Sequence, residues 1–162
     1  MIKLIVAVTS NGFIGKDNGL IVHNKYDMTM FKKLTTGHSV VMGRKTLKSM
    51  GNKPLKNRDN YVLTRSDNPE SISGINYVTH DEMLAIQQQN KDKVFWVIGG
   101  SDIYDLYLRG EVRAQELHVS HFPEELEGDT KFPVEELAKL GYVEKANLDM
   151  PGFVYKIYQL EE

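Results

Sequence analysis

A carboxylate on an apolar helix face is the first feature of this chain that suggests chemistry. Residues 26–34 have the spacing of a helix whose apolar face includes Phe31 and Leu34. Asp27 lies four residues before Phe31, so a helix would place its carboxylate on that same face. A carboxylate that loses its hydration there must find a partner. Two interpretations stand at this point: a ligand-binding carboxylate, or an aspartate that caps the start of the helix.

Basic side chains and two glycine turns point to an anionic ligand. Residues 44–65 carry seven lysines and arginines against a single acid, although the net charge of the whole chain is −2. Such a local cluster favours a small anion, with solvated surface lysines as the alternative. Gly43 opens a helical segment, and Gly99-Gly100 separates a strand from a helix. Both turns can face backbone N–H groups toward a phosphate, and both are also compatible with a plain tight turn.

Composition restricts the class of protein. The 162 residues suffice for one domain with a real core, so we expect a single domain over 1–162. The absence of cysteine excludes disulfides and thiolate chemistry and fits a cytoplasmic protein. The net charge argues against a nucleic-acid partner, and no apolar run has the length of a membrane span. His118 and His121 would lie on opposite faces of a strand, so we expect no metal. No exposed apolar stripe is evident, so we expect a monomer.

The elements that must position these residues alternate between strand and helix as far as residue 120. Apolar runs predict strands over 1–8, 39–42, 60–64, 75–78, 93–98 and 116–121, the last of them by alternation. Helices are expected around Asp27 as far as Gly37, from Gly43 to about Gly51, from Thr79 to about Asn90, from Ser101 onward, and briefly over 134–139. Loops are expected over 11–20 and 127–133, and a hairpin over 142–148 and 153–160.

This order predicts an α/β domain with a central mixed, mostly parallel sheet flanked by helices and closed by a C-terminal antiparallel hairpin. In such folds ligands bind at the carboxyl ends of the strands. The residues that fall at or near those ends are Ala7, Gly43, Thr64 and Gly99. Two of these loops contain glycine and one is basic, so we expect an extended ligand that bears phosphate groups.

Several short motifs together give the chain an end-to-end resemblance to dihydrofolate reductase. They are Ile5-Val6-Ala7 before Ile14-Gly15, Asp27 with Phe31, 41–46, Leu55 with Arg58, 97–101 with Tyr104, and 128–130 with Phe132-Pro133. Each is weak alone, but their order and spacing are highly specific. The resemblance implies the NADPH-dependent reduction of 7,8-dihydrofolate to 5,6,7,8-tetrahydrofolate on the single-domain fold of that family, with antifolates as inhibitors.

The resemblance also implies which residues bind the substrate. Asp27 would be the catalytic residue and would bind the 2-amino and N3 groups of the pteridine, with the Ser120 hydroxyl supporting its carboxylate. Arg58 would form a bidentate pair with the α-carboxylate of the glutamate tail, which lysine cannot do. The substrate-binding set implied in this way is Ile5, Asp27, Met28, Phe31, Met50, Leu55, Arg58 and Ser120.

For the cofactor, the resemblance implies a mobile loop over 13–20 that closes over the nicotinamide. Gly43 to Thr46 would hold the pyrophosphate, and Arg44 with Thr64 and Arg65 would hold the 2′-phosphate. In this family the Gly99–Gly100 peptide is cis. The implied NADPH-binding set is Ala7, Ile14, Gly15, Asn18, Leu20, Gly43, Arg44, Lys45, Thr46, Leu63, Thr64, Arg65, Ile98, Gly99, Gly100, Ser101, Asp102, Ile103, Tyr104 and Thr130.

The implied reaction moves a hydride from C4 of the nicotinamide to C6 of the pterin, while N5 gains a proton. Asp27 faces the N3 side of the ring, away from N5, so we expect a water to deliver that proton. The carboxylate would fix the orientation of the ring and favour the protonated pterin electrostatically.

The chain departs from the family pattern at two places. Ile21-Val22 stands where the family usually has Pro-Trp, and valine cannot donate the hydrogen bond with which the indole helps to hold a water. Asp102 stands where some relatives carry a basic residue near the 2′-phosphate.

Two alternatives remain: a riboflavin-pathway pyrimidine reductase of the same fold, and a reductase fold kept as a non-catalytic binding module. The pairing of Asp27 with Arg58 argues against the first, and retention of the cofactor residues argues against the second.

Overall fold

The computed structural model describes residues 1–16, 19–20, 22–65 and 71–161. Its strands are β1 Ile2–Thr9, β2 Phe13–Lys16, β3 Gly19–Leu20, β4 Ser39–Gly43, β5 Asp59–Leu63, β6 Ile75–Val78, β7 Phe95–Gly99, β8 Glu116–Phe122, β9 Thr130–Lys131, β10 Tyr142–Met150 and β11 Phe153–Leu160. Its helices are α1 Lys25–Thr35, α2 Arg44–Ser49, α3 His80–Gln89, α4 Ser101–Arg109 and a 3₁₀ helix over Val134–Glu136.

Eight strands form the central sheet, in the order β10-β11-β8-β1-β7-β4-β5-β6. The pairs from β8 through β1 to β6 are parallel, whereas β11 runs antiparallel to both β8 and β10. This topology confirms the predicted fold class, including the C-terminal hairpin. Parallel strands need helical crossovers that cover the sheet, and for that reason the central strands are apolar on both faces.

The pleat of β1 divides the core into two layers. Leu4, Val6 and Val8 pack into the larger apolar cluster on one face, together with Tyr104 of α4. Ile5 points to the other face, where it packs with Trp96 and with residues of α1 and α2. Trp96, on the central strand β7, is 2% exposed and is one of the largest buried side chains. The side chains that face α1 therefore form the layer in which a ligand pocket can open.

Three sequence expectations about local structure are wrong. Residues 11–20 and 127–133 contribute short strands to a second sheet of order β3-β2-β9, and β2 pairs with β9 through Gly15 and Thr130. These pairings join segments far apart in the chain, so no local pattern signals them. β8 is buried almost throughout rather than alternating, because it lies between β1 and β11 inside the sheet.

The third error concerns the helix expected over 134–139. It is a single 3₁₀ turn that begins after Pro133, followed by turns up to Gly141. Its bonds run from Glu136 N–H to Pro133 C=O and from Leu137 N–H to Val134 C=O. Leu137 is anchored in the core, and Gly141 turns the chain at a φ of +92°, so the segment between the two is too short for a regular helix. No helix among the residues in the stated ranges is long and apolar enough to cross a membrane.

The start of α1 determines where the Asp27 carboxylate points. Asn24 is the N-cap, and its side-chain oxygen accepts hydrogen bonds from the backbone N–H groups of Tyr26 (2.9 Å) and Asp27 (3.1 Å). Lys32 and Lys33 lie in the last turn, where positive charge suits the helix dipole. Because Asn24 caps the helix, the interpretation of Asp27 as the cap is wrong, and its side chain is available to the pocket.

We expect Asn24→Ala to lower the free energy of unfolding by about 1 kcal/mol and to raise the KM for dihydrofolate, because the first turn carries Asp27. The matched control is Thr79→Ala, which removes the capping box of α3. Chemical denaturation and steady-state kinetics should show similar stability losses but a KM change in Asn24→Ala alone. An equal KM change in both variants would contradict this role of the cap.

Candidate active site

The Asp27 carboxylate lies against the sheet and has one direct polar partner there. The Ser120 hydroxyl, on a residue that is 2% exposed on β8, donates a 2.6 Å hydrogen bond to Asp27 Oδ1. Burial raises the pKa of Asp27 above the usual range of an aspartate, and the Ser120 hydrogen bond partly opposes this effect. The contact that the resemblance implies between these two residues is thus present, and it fixes one carboxylate oxygen while the other stays available.

Apolar side chains from four parts of the chain pack together on the face of the sheet that carries Asp27. Ile5, Phe31, Met50 and Leu55 belong to one cluster, although they come from β1, α1, the end of α2 and the loop before β5. A flat aromatic ligand placed between them would exchange water for apolar contact. Met28 differs from the rest of the predicted substrate-binding set, because 56% of its surface is exposed and the structure places it outside this cluster.

Arg58 is held at the edge of the same cluster by two hydrogen bonds. Its Nη1 donates to Thr35 Oγ1 at 3.0 Å, and its Nε donates to the Lys56 carbonyl at 2.8 Å. Thr35 is fully buried, and its own hydroxyl donates to the Phe31 carbonyl at 2.8 Å. The guanidinium is therefore oriented from α1, the helix that also carries Asp27.

Sequence reasoning missed two residues that shape this edge, Thr35 and Asn60. Asn60 is 1% exposed, and its amide donates to the carbonyls of Leu55 and Arg58 and accepts from the Leu55 N–H, each at 2.9 Å. It thereby holds the loop that presents both residues. A polar amide at the start of an apolar strand was the available signal for Asn60, whereas Thr35 looked like an ordinary helix residue.

A cavity of about 920 Å³ opens at the carboxyl ends of β1, β4, β5 and β7. All the predicted cofactor residues except Asn18 and Leu20 line this cavity. Asn18 and the side chain of Leu20 lie outside the described part of the chain. Val6, Ser49, Asp129 and Lys131 also line it but were not in the predicted cofactor set. Val6, Asp129 and Lys131 directly flank predicted cofactor residues, and this proximity along the chain was the signal that could have found them.

Glycines keep the floor of the cavity open. The Gly99–Gly100 peptide is cis, and Gly99 has a φ of +130°. A Cβ on Gly99 would lie 3.2 Å from Thr46 Oγ1 and 3.4 Å from the Tyr104 hydroxyl, which itself donates to the Ile5 carbonyl at 2.8 Å. A side chain at this position would thus fill the space where a ligand could approach the backbone.

The walls of the cavity suit phosphate groups. The N-cap residues of α2 and α4 are Gly43 and Gly100, which have no side chain to cap the helix, and both line the cavity, so the first N–H groups of these helices can serve a ligand there. Arg44, Lys45 and Arg65 are exposed around it and supply positive charge. The residues present therefore fit an elongated, phosphorylated ligand such as NADPH.

The fold and the two adjoining regions define a class: an α/β enzyme that binds a dinucleotide at the carboxyl edge of its sheet, beside an apolar cluster with a carboxylate next to it. Comparison with known proteins identifies the family. The sequence model of dihydrofolate reductase matches residues 1–152.

Individual relatives agree with the family match. The chain is 40% identical to the dihydrofolate reductase of Bacillus subtilis (strain 168) over 134 residues, which are 82% of this chain and 76% of that protein. It is 31% identical to the dihydrofolate reductase of Mycobacterium leprae (strain TN) over 160 residues, 98% and 96% of the two chains. A solved structure of the Enterococcus faecalis dihydrofolate reductase, complexed with NADP(H) and RAB-propyl, matches with a TM-score of 0.87 and 26% identity over 100% of this chain and 97% of that one.

The chain therefore belongs to the dihydrofolate reductase family, the enzymes that reduce dihydrofolate to tetrahydrofolate with NADPH. This membership confirms the resemblance, the fold class, the enzyme class and the cofactor that the sequence implied. The alternative of a riboflavin-pathway reductase is not favoured.

We expect Thr35→Val to raise the KM for dihydrofolate roughly 3- to 10-fold, because the loss of one buried hydrogen bond lets the guanidinium of Arg58 turn away. The KM for NADPH should not change. The control is Thr36→Val: the Thr36 hydroxyl also bonds back to its own helix, at Lys32 C=O, but on the exposed side. Steady-state kinetics with each substrate varied in turn measures both KM values. An equal change in the KM for dihydrofolate in Thr35→Val and Thr36→Val would contradict this role of Thr35.

Proposed function

We propose that this chain reduces 7,8-dihydrofolate with NADPH. A buried carboxylate binds the pterin, and the cavity at the sheet edge binds NADPH. The observation that carries the proposal is the Ser120–Asp27 hydrogen bond at the base of an apolar cluster that adjoins this cavity. Ile5 links the two regions, since its side chain joins the cluster and its carbonyl accepts a hydrogen bond from Tyr104, which lines the cavity. When bound, NADPH supplies the hydride.

Asp27 binds and orients the pterin ring. Because Ser120 occupies one lone pair of Oδ1, the remaining lone pairs of the carboxylate can accept hydrogen bonds from the 2-amino and N3 groups. This places N5 away from the carboxylate, so water delivers the proton to N5. The negative charge of Asp27 in its partly dehydrated site then favours the protonated pterin over the neutral one.

Arg58 binds the α-carboxylate of the glutamate tail end-on. Its Nε and one Nη1 proton are already donated to Lys56 and Thr35, so the second Nη1 proton and both Nη2 protons remain for a ligand. A bidentate pair through Nη1 and Nη2 satisfies that geometry. The roles of Ile5, Phe31, Met50 and Leu55 are to pack against the pterin and benzoyl rings.

Residues around the cavity divide the phosphates of NADPH between them. Gly43 to Thr46 hold the pyrophosphate, and Arg44 with Thr64 and Arg65 hold the 2′-phosphate. The free start of α2 and the exposed positive charges support this division. Asp102 is exposed in the first turn of α4, where it can turn away from a phosphate into solvent.

Val22 contributes packing rather than a hydrogen bond. It is partly buried against the cluster of Phe122, Phe153 and Tyr155, and its side chain has no donor with which to hold a water. Water at N5 must therefore be held by other groups of this chain or of the ligands.

The enzyme acts as a monomer in the cytoplasm, with dihydrofolate, NADPH and antifolates as its ligands. Both binding regions are complete within one chain, which supports a monomer. The absence of cysteine fits a reducing compartment. Sedimentation of the purified protein with and without NADPH tests the monomer directly.

We expect Asp27→Asn to lower kcat/KM for dihydrofolate at pH 7 by roughly 10²- to 10³-fold, because the neutral amide removes the charge that favours the protonated pterin. The amide oxygen can still accept from Ser120, so the fold and the Kd for NADPH should not change. Stopped-flow NADPH oxidation and NADPH fluorescence titration measure both. Turnover close to wild type, or a loss confined to NADPH binding, would refute the assignment.

The same variant should be more stable than the wild type at neutral pH. Burial raises the pKa of Asp27, so ionisation of this carboxyl opposes folding, and the stability of its protonated form is lost as pH rises through the folded-state pKa. Urea denaturation should therefore show an advantage of Asp27→Asn at pH 7 that shrinks as pH falls into the usual range of an aspartate.

A further inference from the structure

A row of polar side chains crosses the otherwise apolar layer beneath α1. Glu116, His118 and Ser120 are spaced by two on β8, so all three point to the face that carries Asp27. The partners of this row in the sheet are Ile5 on β1, which lies opposite His118, and Tyr155 on β11, which lies opposite Ser120. His118 and Ser120 are 5% and 2% exposed.

Hydrogen bonds link His118 to both of its polar neighbours. Its Nε2 lies 3.0 Å from Glu116 Oε1, and its Nδ1 bonds to the Tyr155 hydroxyl. Lys3 Nζ lies 3.4 Å from the same Glu116 oxygen, and the pKa of Glu116 is lowered by the hydrogen bond from His118 and the charge of Lys3 despite its burial. Glu116 is therefore an ionised acceptor, so the neutral imidazole carries its proton on Nε2. Nδ1 must then accept the proton of the Tyr155 hydroxyl.

Tyr155 lies opposite Ser120 in the pairing of β11 with β8, and the Ser120 hydroxyl donates to Asp27 at 2.6 Å, so Tyr155 stands beside the residue that contacts this carboxylate. Burial raises the pKa of Tyr155 well above its usual range, and the negative charges of Glu116 and Asp27 raise it further. Among the described residues, the charged and titratable groups beside this series of hydrogen bonds are Glu116, His118, Lys3 and Asp27. Burial and the charge of Asp27 also raise the pKa of Tyr104 of α4. Because the Tyr155 hydroxyl donates its proton to His118, it can only accept hydrogen bonds from its other neighbours.

We propose that His118 and Tyr155 are positioning residues for Asp27: His118 takes the Tyr155 proton, turns the lone pairs of the hydroxyl toward the carboxylate, and so makes that carboxyl easier to protonate. This inference rests on the proposed role of Asp27 in binding the pterin. If His118 is replaced by a side chain without an acceptor, the O–H of Tyr155 becomes free to donate toward Asp27, and the ionised carboxylate is stabilised.

The chain contains a matched pair for comparison. His121 Nε2 lies 3.0 Å from the Tyr158 hydroxyl, on the same two strands but on the other face of β8, because positions 118 and 121 differ by an odd number. His118→Phe and His121→Phe therefore remove the same kind of hydrogen bond, and only the first removes it beside Asp27.

The experiment is the pH dependence of kcat/KM for dihydrofolate at saturating NADPH. If Asp27 binds the pterin as an anion, its protonation in the free enzyme removes acceptors for the 2-amino and N3 groups, and this loss gives the profile an acidic limb. We expect His118→Phe to move the midpoint of this limb to lower pH by roughly half a unit or more, with kcat at the optimum and the KM for NADPH unchanged. His121→Phe should leave the midpoint in place. His118→Asn, whose amide oxygen retains an acceptor near the Nδ1 position, should restore the wild-type midpoint.

Tyr155→Phe separates this linkage from a general packing effect. In the Tyr155→Phe background, His118→Phe should cause no further shift, because the hydroxyl through which His118 acts is gone. If His118→Phe does not fold, Tyr155→Phe compared with Tyr158→Phe carries the test, and only the former should shift the limb. Equal midpoints in the wild type, His118→Phe and Tyr155→Phe would overturn the proposal. Equal shifts of the midpoint in His118→Phe and His121→Phe, which lie on opposite faces of β8, would also overturn it. If Asp27→Asn retained the acidic limb, the proposed role of Asp27 itself would fail.

Trp96 provides a spectroscopic readout of the imidazole. It is the sole tryptophan of the chain, and its ring lies edge-on to His118 with centroids 4.8 Å apart. An imidazolium at that distance quenches indole emission, whereas neutral imidazole does so far less. Burial lowers the pKa of His118, so quenching should begin only below the usual range of a histidine and should be absent in His118→Phe. Quenching already complete at neutral pH would show a charged imidazole and overturn the proposal.

Discussion

The loss of hydration at one carboxylate is the constraint on which the site depends. Asp27 enters an apolar layer between α1 and the sheet, where a charge without partners would be costly. The Ser120 hydroxyl offsets part of that cost, and a ligand with two N–H donors can offset the rest. In the proposed function, the unfilled hydrogen-bonding capacity of this carboxylate is what favours a pterin over a purely apolar ring.

The geometry of the parallel sheet brings this carboxylate next to the nucleotide cavity. Ile5 stands at the junction: its side chain faces the α1 layer, while its carbonyl receives the hydroxyl of Tyr104 from α4. Gly99 and Gly43 leave open the strand ends beside it, where added side chains would meet Thr46, Tyr104 or Ile103. In the proposed function, one layer supplies the walls for the pterin, and the neighbouring loops supply the donors for phosphate. Hydride transfer requires the two ligands to meet, and this junction is where they can.

Much of this arrangement could be predicted from sequence, because local patterns encode it. Alternation, buried apolar runs and glycine turns correctly predicted the strands of the central sheet and the helices that flank it. The spacing of short motifs identified the family. What escaped prediction depends on contacts distant in the chain. The strand pairing of Gly15 with Thr130 has no local signature, and neither has the support that Thr35 gives to Arg58. The sequence left open whether Asp27 caps the helix, because an aspartate near a helix start suits that position, and only the structure shows that Asn24 is the cap.

The most direct test of the central claim is to observe the Asp27 carboxyl itself. In protein labelled with ¹³C at aspartate, comparison with Asp27→Asn assigns its carboxyl resonance, whose shift against pH gives the protonation midpoint. We expect a midpoint above the usual aspartate range in the complex with NADP⁺, which has no hydride to transfer. Folate, added to this complex as the pterin, should lower the midpoint by donating to the ionised carboxylate. An ordinary midpoint that folate does not move would contradict the account.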